Sequence, residues 1–147
     1  MKLLELYKWL IGTVSDFSKP FRENEELLNE ARKFWRSLEG YSLFIVFLFI
    51  FLGAVLAVTY YTYWNNKPGR HYKPKDWLIY LLATFIICFL VTFGIEYLLC
   101  PPHLSGAVSL ELKIAFGNAL YSVGIYLIVS FIWCNLLPTN AYRIFKI

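Results

Sequence analysis

The stretch Tyr80–Cys100, "YLLATFIICFLVTFGIEYLLC", is apolar almost throughout, yet it carries one acid, Glu96. Tyr80, Thr84, Cys88, Thr92, Glu96 and Cys100 recur in it at every fourth position. Residues four apart on an α-helix lie one above another, drifting about 40° per step. A helix here therefore carries a single ridge of hydrogen-bonding or sulfur-bearing side chains on an otherwise greasy surface.

A helix that crosses a bilayer needs about 20 mostly apolar residues. Trp77–Leu99 qualifies, interrupted only by Glu96. Tyr41–Trp64 and Ile114–Leu137 also qualify, and neither contains a charge. Backbone groups in hydrocarbon must be satisfied within the segment, so these runs are predicted as helices. No series of short alternating strands suggests a barrel. Composition agrees. The 147 residues are 59% hydrophobic and 16% charged, against about 25% charged in a soluble domain.

Ahead of the spans, "MKLLELYKWLIGTVSDF" puts Leu3, Leu6, Tyr7, Leu10, Val14 and Phe17 at helical spacing, with Lys2, Glu5, Lys8 and Ser15 on another face. The apolar run is too short to span and lacks the features of a signal peptide, so it reads as an interfacial amphipathic helix. A second such helix is predicted over 23–38, with Leu27, Leu28, Ala31, Phe34, Trp35 and Leu38 on one side. Its acids come first and Arg32, Lys33 and Arg36 last, an order that suits the helix dipole. The expected fold class is an all-α integral membrane protein, with three transmembrane helices after two amphipathic N-terminal helices. The expected division is 1–40 for the interfacial helices and 41–147 for the membrane domain.

Span three carries its own ridge: Asn118, Ser122, Tyr126, Ser130 and Cys134. Such side chains avoid lipid. They face another helix, a sister chain or water. Three readings follow for Thr84, Cys88, Thr92, Glu96, Asn118, Ser122, Tyr126 and Ser130. They act as glue between helices, line a pore built by several copies, or, least of the three, edge a catalytic cleft. Span one offers Gly53 and Ala57 four apart, a small-residue pattern that lets helices approach closely.

Glu96 lies about 29 Å along the helix axis from Trp77, near the far interface. There it reaches headgroups and water, or joins a ring at a pore mouth that selects cations. Lys113, His103 and Asn118 are its expected partners. Tyr60, Tyr61, Tyr63, Trp64, Trp77, Tyr80 and Trp133 are expected at one interface, and Trp35, Tyr41, Tyr97 and Tyr121 at the other.

Loop 65–76 holds Lys67, Arg70, Lys73 and Lys75, which suit headgroups or an acidic partner. Bases counted near the spans place this loop in the cytoplasm, whereas counting the whole N-terminal segment reverses the sense. The cell (inner) membrane is the expected location. The net charge of +4 is modest, and no nucleic-acid motif is present. The three cysteines form no CxxC pair. With only two histidines in the chain, no metal site or cofactor is expected. No nucleophile–base motif or phosphate-binding loop occurs, so no enzyme is expected. The sequence thus favours a self-associating membrane scaffold or anchor subunit, docking a protein partner on residues 1–38 or loop 65–76. A homo-oligomeric ion channel or pore, of a defence or lysis kind, is the alternative, with a small membrane-embedded enzyme as a distant third.

Overall fold

The computed structural model of the chain describes residues 3–64, 73–102, 104, 106–137, 139 and 142–145. Lys67, Arg70, His71 and His103 lie outside them. The order is a 3-10 turn over Leu3–Tyr7, then α1 (Lys8–Ile11), α2 (Val14–Ser18) and a second 3-10 turn over Lys19–Phe21. Three long helices follow: α3 (Glu25–Thr59), α4 (Pro74–Leu99) and α5 (Ala107–Leu136). A π-helical turn over Tyr60–Trp64 extends α3. Each of the three is long and apolar enough to cross a membrane. Only 17% to 28% of their most apolar windows is buried. A surface that greasy belongs in lipid, and the chain is a membrane protein with three transmembrane helices.

Local chemistry sets the boundaries, and they differ from the expected ones. Gly12 stops α1 at a positive φ of 70°, a backbone region that a side chain disfavours. Thr13 then caps α2. Its hydroxyl accepts from the Asp16 N–H, and the Asp16 carboxylate accepts from the Thr13 N–H, a reciprocal box that restarts the helix. The break changes the phase of the buried face. Leu4, Tyr7 and Ile11 are buried, whereas Leu6 and Val14 are exposed.

The expected second amphipathic helix is not separate: it is the first part of α3. Asn24 starts it, its Oδ1 accepting from the N–H groups of Glu26 at 3.0 Å and Leu27 at 3.3 Å. Gly40 does not interrupt it, because a lone glycine weakens a helix without removing a donor. Arg32, Lys33 and Arg36 therefore lie mid-helix, and the dipole argument for a helix end there does not apply. Pro74 opens α4, where its missing N–H costs nothing. Pro101 and Pro102 follow its end and forbid continuation. α5 begins at Ala107, seven residues before the expected Ile114, and so takes Glu111 and Lys113 into the helix.

The chain forms two compact units. Unit 1 comprises Met1–Phe47 and Phe89–Asn118, and unit 2 comprises Leu48–Cys88 and Ala119–Ile147.

Candidate functional site

In unit 1 the polar centre is Asn118, which is fully buried. Its Oδ1 accepts from the Tyr7 hydroxyl. Its Nδ2 donates to the Ile45 carbonyl and to Thr92 Oγ1, both at 3.0 Å. An amide side chain has two N–H donors and a carbonyl acceptor, and here each is engaged. One residue thereby joins the N-terminal turn, α3, α4 and α5. The backbone leaves room for this. A Cβ on Gly117 would lie 3.1 Å from both Tyr7 Cδ1 and Leu10 Cδ1, so any other residue there would make those side chains give by a few tenths of an ångström. Phe17 secures the segment further, its ring 5.7 Å from Phe34 and 5.9 Å from Trp35.

Two carboxylic acids belong to the same unit. Glu96 is 1% exposed and Glu111 is 0% exposed. They interact electrostatically with each other, and both act on the buried Cys100 thiol. Neither Glu96 oxygen accepts a hydrogen bond from the described residues. The expected partners do not reach it. Lys113 is exposed and makes no ion pair with Glu96 among the described residues. Asn118 spends its donors elsewhere, and His103 lies outside the described residues.

Unit 2 is built differently. Ala57, Tyr60, Tyr61, Trp77, Tyr126 and Cys134 form its buried core. Trp77 meets Tyr126 edge-on at 5.7 Å and Phe145 at 6.0 Å. Tyr61 stacks on Trp133 at 5.8 Å and lies 3.5 Å from Cys134 Sγ through its hydroxyl. Trp77 Nε1 donates to Ser130 Oγ at 3.3 Å. Gly53 is the close approach that its spacing with Ala57 suggested. A Cβ there would stand 2.5 Å from the Ser122 carbonyl oxygen and 2.9 Å from Ile125 Cβ.

Thr84, Cys88, Thr92 and Glu96 on α4, and Asn118, Ser122, Tyr126 and Ser130 on α5, are buried, whereas Tyr80 at the head of the α4 ridge is half-buried. Thr84 and Ser122 turn their hydroxyls to carbonyls of their own helix, at Tyr80 (2.8 Å) and Ala119 (2.9 Å). Tyr126 donates to no described residue. Lys73 and Lys75 are exposed at the start of α4.

Sequence reasoning missed Glu111 and Tyr7. Glu111 precedes Asn118 by seven residues, two turns on one helix face, so the ridge of span three was readable one step further back. Tyr7 was read as part of an apolar stripe. Only the fold brings its hydroxyl to Asn118, 111 residues away in sequence. Among the described residues no group of three or more His, Cys, Asp or Glu side chains is arranged to hold a metal. No protein-family model, no curated protein and no solved structure matches the chain.

Proposed function

We propose that the chain is a non-enzymatic membrane anchor, a subunit that holds a protein partner at the bilayer. The observation that supports this is how unit 1 spends its polar groups. Asn118 uses both donors and its acceptor on Tyr7, Ile45 and Thr92 inside a single chain. Such bonds fix helices to one another, at about 0.6 kcal/mol each in membranes. They give a rigid unit and leave apolar side chains for lipid, including Leu43, Phe47, Leu90 and Leu98. The outward side of the N-terminal segment is the docking surface in this reading. It shows Leu6, Trp9 and Val14, at 42%, 62% and 43% exposure, while its inner side is occupied by the chain itself.

That occupancy dictates the test. Deleting residues 1–38 would strip Tyr7 from Asn118 and damage the insert. Val14→Ala and Lys8→Glu change only the outward side. The anchor reading expects native folding of both variants with loss of the partner from membranes. It also expects proteoliposomes as tight to ions as protein-free vesicles.

A second reading, a cation-conducting assembly of several copies, is favoured by one observation: Glu96 is a buried acid in a membrane helix, a residue type that marks ion paths. A cation-selective leak that disappears in Glu96→Gln would support this reading over the anchor.

A further inference from the structure

The Thr92–Asn118 hydrogen bond fixes the register between α4 and α5 in unit 1. A short connection joins the two helices, so they run antiparallel there. Glu96 lies one turn past Thr92, about 6 Å along the axis, and Glu111 lies two turns before Asn118, about 10 Å. Both acids therefore fall on the same side of that bond, offset by about 4 Å along the bundle. Both are sealed from the surface, at 1% and 0% exposure.

No described residue donates a hydrogen bond to either Glu96 oxygen. Buried carboxylates are ordinarily hydrogen-bonded, ion-paired or bound to a metal. The site also lies at the end of α4, which finishes at Leu99. Carbonyls of a last helical turn lack donors from their own helix and carry the negative end of its dipole. The unpartnered Glu96 carboxylate and the helix dipole both point to positive charge, while Lys113 is exposed.

We infer that Glu96 and Glu111 form a binding site for one small hard cation of the Na⁺, Mg²⁺ or Ca²⁺ class. Carboxylate and carbonyl oxygens are the ligands that such ions prefer. A thiolate-rich site for a soft metal does not fit, since no group of three or more His, Cys, Asp or Glu side chains is arranged for a metal among the described residues. Filling the site would hold the α4–α5 end of unit 1 closed.

The test uses the full chain in lipid nanodiscs at constant pH. Thermal unfolding is followed in NaCl, MgCl₂ and CaCl₂, with choline chloride balancing ionic strength. One of the three cations is expected to raise Tm beyond choline, and titration calorimetry should then return one ion per chain. Glu96→Gln and Glu111→Gln should each raise the half-saturating concentration by about tenfold or more, because affinity follows the number of charged ligands. Should either variant lose native helicity, Glu96→Asp replaces it and should weaken binding while keeping the fold. Absence of any cation-specific rise in the unmodified chain would overturn the proposal, leaving two acids packed as structure. So would an equal rise in unmodified chain and variants.

Discussion

In unit 1 one amide makes three directed bonds, and two acids lie buried nearby. In unit 2 the buried core is chiefly tyrosine and tryptophan rings, with a glycine against a neighbouring backbone. Both units draw on the same three helices, so the contrast isolates the means of attachment. Hydrogen bonds in hydrocarbon are modest singly but directional, and they choose which atoms meet. Ring packing and close backbone approach gain from dispersion and depend on shape. The polar unit is specified by partners and the aromatic unit by volume.

The largest effect is expected in unit 2. Gly53→Leu forces a side chain into the Ser122 carbonyl, only 2.5 Å from where a Cβ would stand. Backbone offers no flexible escape, so the loss should be about 3 kcal/mol, measured by unfolding in mixed micelles. Near-native stability would show that α3 and α5 do not approach so closely. Asn118→Ala comes next. It removes three bonds and leaves the buried Tyr7 hydroxyl without its acceptor, for about 2 kcal/mol. The loss should appear as looser residues 3–21 while the Trp77 near-UV signal of unit 2 holds. Ser130→Ala removes the acceptor of Trp77 Nε1 in a core otherwise made of rings, so about 0.6 kcal/mol is expected. A cost equal to that of Asn118→Ala would erase the distinction between the units.

The smallest effect concerns pH. The Lys19 hydrogen bond, reinforced by Thr13, holds the Asp16 carboxyl well below its ordinary value. A depressed carboxyl stabilises the folded state above its unfolded value, about 3.9, and loses that contribution as pH falls further. Asp16 is exposed, which makes the contribution small. Fraying of α2, followed by amide exchange, should begin below about pH 4 and be absent in Asp16→Asn, while unit 2 shows no change.

The three spans were legible because about 20 uncharged residues have few other fates. Burial of the α4 and α5 ridges was legible too, since hydroxyls and amides every fourth residue avoid lipid. Their use was not. Their exposure to a sister chain was one reason to expect self-association, and burial within one chain removes that reason. The expected division at residue 40 falls inside α3, because a glycine without a proline costs no backbone donor and the helix runs through. Charge made span three look as though it began at Ile114, although a helix end accommodates Glu111 and Lys113 readily. Tyr7 and Asn118 are bonded across more than a hundred residues, which no local pattern encodes.

The central claim is that Asn118 spends its donors and acceptor inside one chain. Hydrogen exchange of its side-chain amide, followed by NMR in lipid, tests this most directly. Both Nδ2 protons should exchange far more slowly than those of the exposed Asn29, and their signals should shift in Tyr7→Phe. Exchange as fast as Asn29, indifferent to Tyr7, would contradict the account.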